Sequence, residues 1–234
     1  MVQRGLVSTR SQAESWIRLG KVQVNGRMQT KPSAFVAPDS VITFEPAEQY
    51  VSRAGLKLAS VAQALDINFS NATVLDVGSS TGGFTDYALQ HGAKKVIAVE
   101  AGSHQLHHNL RGHPAIELHE QTDIRDVQEL SSVPTIVVID VSFVSLRDIL
   151  PHVATLCSRH TQIVAMVKPQ FEAAASNLKH KGVIKNDHLR REILKEFETW
   201  AKKYFIIAAK ADSEVTGSRG NLERFYILQK VLKG

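Results

Sequence analysis

Four charged residues of this 234-residue chain stand at positions where side chains can do acid–base chemistry. Asp140 ends the apolar run T-I-V-V-I-D, and Lys168 ends the run Q-I-V-A-M-V-K. Glu223 stands just before the run R-F-Y-I-L-Q, and Lys57 lies in an amphipathic segment upstream. A lysine at the tip of an apolar strand is unfavourable unless it is paired or faces a cleft. The four residues therefore form a candidate catalytic group, with two surface ion pairs as the alternative interpretation.

The segment D-V-G-S-S-T-G-G-F-T-D at 76–86 is a glycine-rich turn that allows close approach of a nucleotide. Its glycine spacing departs from the dinucleotide pattern G-x-G-x-x-G, and no lysine follows Gly83 as a P-loop requires. Asp76 would repel a pyrophosphate but suits a ligand that carries an ammonium group. S-adenosylmethionine carries an ammonium and a sulfonium and no phosphate, so we expect it here. A dinucleotide site and a purely structural turn are the alternatives.

Acidic residues near later strand ends extend this expected cofactor site. Glu100 is placed to accept hydrogen bonds from ribose hydroxyls, and Asp123 could meet the amino group of adenine. The expected cofactor contacts are Asp76, Gly78, Ser79, Ser80, Thr81, Gly82, Gly83, Phe84, Glu100, Asp123 and Asp140.

Alternating strand-like and helix-like segments must position these residues. The strand-like runs lie at 73–77, 95–100, 115–118, 135–140, 162–167, 204–209 and 224–229. Helices are expected at 53–65, 83–91, 145–157 and 188–203. This alternation predicts an α/β fold with a mostly parallel seven-stranded sheet and helices on both faces. Ligands of such sheets bind at the carboxyl ends of the strands, where the acidic residues stand.

The first 45 residues predict a separate helix–hairpin unit. A helix is expected at 9–19, followed by a strand, an Asn25-Gly26 turn and a second strand at 41–44. The segment P-A-E-Q at 46–49 is typical of a linker.

This N-terminal unit carries most of the excess positive charge of the chain. Residues 1–44 hold six basic and two acidic side chains, a net charge of +4, whereas residues 45–234 hold 22 basic and 21 acidic ones. The imbalance predicts a polyanion partner, most simply nucleic acid, with a solvated basic face as the alternative. The side chains expected to contact RNA are Arg4, Arg10, Arg18, Lys21 and Arg27.

The composition argues against several other classes of protein. The content of 43% hydrophobic and 22% charged residues is ordinary for a soluble globular protein. No apolar run reaches the length of a membrane span and no secretory signal is recognised, so we expect a cytoplasmic location. The single cysteine, Cys157, is expected to be a packed residue. No metal is expected, because neither cysteine nor carboxylate completes a zinc-like set with His104, His107, His108 and His113.

Five motifs occur in the order found in one known family. They are V-S-R-A-G-L-K-L, D-V-G-S-S-T-G-G-F-T-D, V-I-D-V-S-F, V-K-P-Q-F-E and G-N-L-E-R-F. With them the chain resembles, over nearly its whole length, the TlyA or haemolysin-A-like family of ribosomal RNA 2′-O-methyltransferases, which is related to the FtsJ RNA methyltransferases. The resemblance implies an αL-type RNA-binding domain at 1–45, a linker at 46–52 and a Rossmann-like class I methyltransferase domain at 53–234.

The resemblance also implies residue roles. The Lys-Asp-Lys-Glu tetrad of the family matches Lys57, Asp140, Lys168 and Glu223. These residues would help a ribose 2′-hydroxyl of ribosomal RNA, with cytidine as the expected nucleoside, to accept a methyl group from S-adenosylmethionine. Lys168 is expected to act as the base or to stabilise the alkoxide, with Lys57 as a second cation and the two acids orienting the lysines. Ribosomal RNA or ribosomal subunits are the expected partners.

The chain departs from the family pattern at three places. The RNA-binding domain is expected to be short at its N-terminus, Asp123 stands where Asn is common, and 172–181 replace a loop richer in glycine and acids. Two other functions stay open, an RNA-binding protein with a catalytically weak methyltransferase domain and a haemolysin acting on membranes. The intact tetrad argues against the first, and the lack of a long basic amphipathic helix argues against the second.

Overall fold

The computed structural model describes residues 1–7, 10–18, 20–44, 50–173, 182–217 and 220–231. At the N-terminus a 3₁₀ turn is followed by one helix and a small antiparallel sheet. These elements are Val2–Arg4, α1 (Arg10–Arg18), β1 (Val22–Val24), β2 (Arg27–Met28) and β3 (Ile42–Phe44). The two residues of the β1–β2 turn, Asn25 and Gly26, have φ of +50° and +75°, as a type I′ hairpin requires.

The larger sheet has seven strands. They are β4 (Thr73–Val77), β5 (Lys95–Val99), β6 (Ile116–His119), β7 (Ile136–Ile139), β8 (Gln162–Val167), β9 (Phe205–Asp212) and β10 (Arg224–Lys230). Their order is β6-β5-β4-β7-β8-β10-β9. Strand β10 runs antiparallel to its neighbours, β8 and β9, and the other pairings described in this sheet are parallel. The chain winds outward from β4 to β6 and then returns to β7, so a crevice opens between the ends of β4 and β7, where ligands of such sheets bind.

Helices cover both faces of this sheet, as predicted. The helices after the N-terminal unit are α2 (Arg53–Ala62), α3 (Gly83–Gln90), α4 (Leu146–Thr155), α5 (Pro169–Glu172) and α6 (Asp187–Ala201). Alternate residues of each central strand join opposite clusters, with Val74 on the α2–α3 side and Leu75 on the α4–α6 side. Strands buried on both faces must be apolar at nearly every position, which explains the unbroken runs in the sequence.

The N-terminal unit shares a core with the larger domain. Trp16 and Val22 belong to the same buried cluster as Leu56 and Val61 of α2. Between the two, Val51 N–H donates to Asp86 Oδ2 at 2.7 Å, which anchors the start of α2 on α3. The helix–hairpin unit is therefore packed on the helix that carries Lys57.

The predicted elements are confirmed, with most ends within about two residues. The clearest difference is β9, which continues to Asp212 instead of ending at residue 209 because its pairing with β10 extends that far. The linker expected at 46–49 and most of the divergent segment 172–181 lie outside the described residues. The exact domain boundaries therefore stay predictions.

Candidate active site

Lys168 and Asp140 form a buried ion pair at the carboxyl ends of neighbouring parallel strands. Asp140 follows β7, Lys168 follows β8, and their Nζ and Oδ1 atoms lie 2.6 Å apart. Lys168 Nζ also donates to Ser142 Oγ at 2.8 Å, and the lysine is only 9% exposed. The lysine nitrogen is therefore held by two oxygens of the loop that follows β7.

Lys57 and Glu223 form a second buried ion pair on the same edge of the sheet. Lys57 Nζ lies 2.5 Å from Glu223 Oε2. Because β10 is antiparallel to β8 with Arg224 opposite Val167, Glu223 enters the sheet beside the strand end that carries Lys168. A Cβ on Gly217 would lie 2.8 Å from Glu223 Oε1, so a glycine leaves room for the carboxylate. All four residues of the candidate catalytic group thus meet at one edge.

A close crossing of two helices places Lys57. A Cβ on Gly55 would lie 3.0 Å from Gly83 O, and a Cβ on Gly83 would lie 2.9 Å from Gly55 N. The backbones of α2 and α3 can approach this closely only because both residues are glycines. Lys57 follows two residues later and is directed toward Glu223.

Buried ion pairs contribute little net stability, because the cost of desolvating two charges offsets much of their attraction. Two such pairs at the ligand-binding edge of an α/β sheet therefore indicate function more than stability. Each lysine is paired with its own carboxylate, which agrees with the expectation that the acids orient the lysines.

A cleft of about 420 Å³ opens at the same edge. Its described lining includes Gly78, Ser80, Glu100, Asp123 and Asp140 from the expected cofactor set. Three carboxylates and one guanidinium, that of Arg125, therefore face this space. A cleft with more negative than positive groups favours a cationic ligand over a pyrophosphate.

Glu100 ties the glycine loop to the end of β5. Its Oε2 accepts from Ser80 N–H at 2.9 Å, and its Oε1 accepts from Gly102 N–H at 2.7 Å. On the other side of the loop, a Cβ on Gly78 would lie 2.7 Å from Asp140 O. The loop is thus held between the ends of β5 and β7, which forms one wall of the cleft.

Asp76 is fully buried beneath this wall and is absent from the described lining of the cleft. Its Oδ2 accepts from Thr85 Oγ1 at 2.6 Å, whereas Oδ1 has no hydrogen-bond partner among the described residues. Burial raises the pKa of this carboxyl from 3.8 to about 7. Asp76 thus has an acceptor oxygen available, and it directly precedes Val77, which lines the cleft.

Asp123 lines the cleft but is already engaged by a neighbouring cation. Arg125 donates from Nε to Oδ1 at 3.0 Å and from a terminal nitrogen to Oδ2 at 2.6 Å. These bonds lower the pKa of the Asp123 carboxyl. The carboxylate retains lone pairs that could accept a further hydrogen bond from a nucleobase.

The remaining residues of the glycine loop do not line the described part of the cleft. Phe84 is buried in the core, with its ring 6.0 Å from that of Phe225. Ser79 is buried, and a Cβ on Gly82 would overlap Leu110. Gly83 lies at the crossing of α2 and α3. The backbone carbonyl of Thr81 accepts a hydrogen bond from His107 N–H.

An aromatic pair beside the cleft, of which Phe143 is exposed and Phe171 is half-buried, was missed in the sequence analysis. Phe143 is 90% exposed and has a φ of +69°, which is rare for a non-glycine residue. Its ring centre lies 5.4 Å from that of Phe171, which in turn lies 5.9 Å from Lys168 Nζ. The signal was present in the motifs V-I-D-V-S-F and V-K-P-Q-F-E, where each phenylalanine closely follows a candidate catalytic residue.

The basic residues of the N-terminal unit are exposed but not equivalent. Arg10 is exposed but paired with an acid, since its Nε lies 3.2 Å from Glu14 Oε1. Arg18, Lys21 and Arg27 are also exposed on the surface. Arg4 donates to Ser40 O at 2.6 Å and to Pro38 O at 2.7 Å. Arg4 therefore braces the loop before β3, and only part of its guanidinium is available to a phosphate.

Neither a metal site nor a membrane span was found in the described part of the chain. Its His, Cys, Asp and Glu residues form no group of three or more that could hold a metal ion. None of its helices has the length and apolar character needed to cross a membrane. Cys157 is buried, and burial raises the pKa of its thiol to about 12, which agrees with a packing role.

Comparisons with known proteins match both parts of the chain. Residues 50–230 match the FtsJ-like methyltransferase family, and residues 1–42 match the S4 domain. The chain is 34% identical to the 16S/23S rRNA (cytidine-2′-O)-methyltransferase TlyA of Mycobacterium tuberculosis, over 98% of this chain and 87% of that protein. It is also 34% identical to Hemolysin A of Brachyspira hyodysenteriae, over 94% of this chain and 93% of that protein.

A solved structure from Streptococcus thermophilus, described provisionally as a hemolysin, has the same architecture. The two chains are 32% identical, and the alignment has a TM-score of 0.74 over 98% of this chain and 86% of the other. The S-adenosylmethionine-dependent methyltransferase of Mesorhizobium loti shares the fold at a TM-score of 0.54 and 12% identity, over 77% of this chain and 100% of that chain.

Proposed function

We propose that this chain transfers a methyl group from S-adenosylmethionine to a ribose 2′-hydroxyl of ribosomal RNA. The chain belongs to the FtsJ-like methyltransferase family and has an S4 domain ahead of the methyltransferase domain. Cytidine is the proposed nucleoside, in line with the activity named for the M. tuberculosis TlyA relative. The observation that carries the proposal is the pair of buried lysine–carboxylate contacts beside an acidic cleft. An enzyme with this substrate would work in the cytoplasm.

The cleft residues suit S-adenosylmethionine. The excess of carboxylates favours its positive charges, and no phosphate has to be accommodated. The unpartnered Asp76 Oδ1 is a buried acceptor that an ammonium group or a bridging water would satisfy. Glu100 would bind the ribose hydroxyls of the cofactor, for which its bonds to the Ser80 and Gly102 amides would have to lengthen or be shared. The cofactor supplies a methyl group already activated by sulfonium.

The chain's own task is to position the acceptor and to remove its proton. A ribose hydroxyl is a weak nucleophile, so its oxygen must lose a proton as the new O–C bond forms. We assign that proton to Lys168 Nζ, which would accept it as a neutral amine and become an ammonium ion; Asp140 and Ser142 hold this nitrogen beside the cleft. Lys57 supplies a second positive charge that would stabilise the developing alkoxide. Asp140 and Glu223 keep the two lysine nitrogens in place.

The aromatic pair offers a surface for the nucleotide that carries the acceptor hydroxyl. Phe143 presents a nearly free ring at the cleft mouth, and unpaired bases stack readily on aromatic side chains. The same basic S4 domain that packs on α2 would hold the surrounding RNA through its phosphates. RNA binding is thereby assigned to the S4 domain and catalysis to the methyltransferase domain, and the two domains share a packed core.

Methyl transfer to separated ribosomal subunits, with a cofactor labelled on the methyl group, tests the proposal. A 2′-O-methyl group blocks alkaline cleavage of the following phosphodiester, so the label should appear in alkali-stable dinucleotides. Release of the label in mononucleotides would indicate base methylation and contradict the proposal. A protein that binds both RNA and cofactor without transfer would instead support the catalytically weak alternative.

Lys168→Ala is the matched test of the site, and Lys195→Ala is its control, because Lys195 is an exposed lysine of α6. We expect the first to abolish labelling and the second to leave it unchanged. Equal labelling by both variants would remove Lys168 from the mechanism.

A further inference from the structure

Two loops carry the Lys168–Asp140 pair, and they contact each other at their beginnings, in the middle and at their far ends. The first, 140–145, joins β7 to α4, and the second, 168–172, contains α5. At their beginnings the loops are linked by the ion pair and by the Lys168–Ser142 hydrogen bond. Midway, the rings of Phe143 and Phe171 lie 5.4 Å apart.

Glu172 links the far ends of the same two loops. This carboxylate is 1% exposed, and its Oε2 accepts from Ser145 Oγ at 2.7 Å. Its Oε1 accepts from Leu146 N–H at 2.7 Å, and Arg147 Nε lies 3.4 Å from Oε2. Glu172 ends the motif V-K-P-Q-F-E, but neither the acid–base assignment nor the cofactor cleft makes use of it.

We propose that Glu172 is a positioning residue for methyl transfer, which holds the loops 140–145 and 168–172 together so that Asp140 and Lys168 remain paired at the edge of the cleft. The inference rests on the proposed function, because it concerns the same site. Glu172 would act through Asp140, Ser142 and Lys168, without touching substrate or cofactor itself.

The hydrogen bonds show that Glu172 does more than cap the N-terminus of α4. Helix α4 already has a side-chain cap, because Ser145 Oγ accepts from Arg147 N–H at 3.1 Å. What the carboxylate adds is a bridge from α5 to the start of α4. An anion is suited to this place, because two donors and the positive end of the helix converge on it. Burial raises the pKa of Glu172 while the hydrogen bonds and Arg147 oppose that shift.

Two substitutions separate the bridge from simple packing. Glu172→Ala removes both acceptors and cuts the bridge. Glu172→Gln preserves the shape, because its amide oxygen can accept from Leu146 N–H while its NH₂ donates to Ser145 Oγ. Asn186→Ala is the control, because Asn186 caps α6 by accepting from His188 N–H and Leu189 N–H outside the candidate site.

The first measurement is single-turnover methyl transfer at saturating cofactor and RNA, at a temperature where every variant is folded. A misplaced catalytic group costs on the order of 10²-fold, so we expect that loss in Glu172→Ala, with at least about tenfold recovery in Glu172→Gln. The affinity for cofactor should change much less than the rate. Asn186→Ala should transfer at the wild-type rate.

The second measurement is amide hydrogen exchange across residues 140–146, which does not depend on activity. Exchange there should accelerate in Glu172→Ala and stay unchanged in Asn186→Ala. Wild-type transfer and exchange in Glu172→Ala would overturn the proposal, as would a Glu172→Gln variant that is as slow as Glu172→Ala. If the wild-type protein transfers no methyl group, the proposed function fails. The bridge is then tested by exchange alone, and unchanged exchange in Glu172→Ala would contradict it.

Discussion

Lys168 Nζ lies 2.6 Å from Asp140 Oδ1, and the two residues follow neighbouring parallel strands. Lys57 is paired in the same way with Glu223, which precedes β10, the strand that runs antiparallel to β8 and β9. Each lysine therefore has one carboxylate that fixes its position. Under the proposed function, the candidate site would thereby bring two positive charges near one acceptor oxygen during methyl transfer while each lysine keeps its carboxylate partner.

Lys168→Ala should reduce single-turnover transfer by at least about 10²–10⁴-fold, the usual contribution of a general base. The melting temperature should fall only modestly, because Asp140 faces the cleft and water can solvate it. Cofactor affinity, measured by calorimetry, should persist. Near-normal transfer in a folded, cofactor-bound variant would refute the assignment of Lys168.

Gly78→Ala should weaken cofactor binding by about tenfold or more, because the new Cβ would lie 2.7 Å from Asp140 O and push the loop from the cleft wall. Gly92→Ala is the matched control. Gly92 also has a positive φ, +87° against +77°, but a Cβ there would only reach ordinary contact at 3.5 Å from Ser70. Both variants should lose about 1–2 kcal/mol of stability from backbone strain. Equal cofactor affinities in calorimetry would contradict the prediction.

The buried Asp76 should make stability decrease as the pH rises. Its pKa is raised from 3.8 to about 7, so in this interval the folded protein keeps a proton that the unfolded chain has released. The stabilisation is complete below pH 3.8 and is lost as the pH approaches 7. Asp76→Asn should remove this contribution, which is on the order of 4 kcal/mol.

Urea unfolding without cofactor, at several pH values between 4 and 7.5, checks the prediction. The stability of Asp76→Asn relative to wild type should increase with pH, and the other titrating groups cancel in the comparison. Parallel curves for the two proteins would show that Asp76 is ionised in the folded state throughout this range.

Replacing Arg18, Lys21 and Arg27 together by glutamine should weaken binding to ribosomal RNA and reduce its salt dependence. The slope of log K against log salt concentration should fall by about 2–3 if all three side chains neutralise phosphates. Replacing Arg10, which is paired with Glu14, should have a smaller effect. An unchanged slope in the triple variant would mean that these residues form only a solvated face.

Arg4→Gln should act mainly on stability. The Arg4 guanidinium holds the carbonyl groups of Pro38 and Ser40, so its loss should loosen the loop that leads to β3. We expect a loss of about 1–3 kcal/mol in urea unfolding, typical of hydrogen bonds to a charged donor. A variant of wild-type stability with strongly reduced RNA affinity would instead make Arg4 a phosphate contact. Deleting residues 1–45 is a poorer test, because it would expose the core shared by Trp16 and Leu56.

The local pattern of the sequence was sufficient for the elements of the fold. Strand-like runs of four to six residues, separated by amphipathic segments, predicted every strand of the large sheet and the helices on both faces. The Asn25-Gly26 pair predicted its hairpin, because few other residues tolerate φ > 0 at both central positions. These features depend on neighbours within a few residues, and a sequence displays such neighbours directly.

Residue type and strand position also identified the four residues of the two ion pairs, since charged groups are rarely placed at the tips of apolar strands without a partner. The segment 78–84 was identified as a whole, but Gly83 packs between two helices and Phe84 packs in the core. A glycine required by a helix crossing and a glycine required by a ligand look the same in a sequence.

Only the tertiary structure decided which lysine meets which acid. Lys57 and Glu223 are 166 positions apart and are brought together because β10 inserts antiparallel between β8 and β9. The bridge from Glu172 to Ser145 and the exposure of Phe143 likewise depend on how two loops settle against each other. Strand order and loop packing depend on the free energy of the whole core, so no short stretch of sequence encodes them. The chemical types of the candidate reacting groups, in contrast, are already present in the residues themselves.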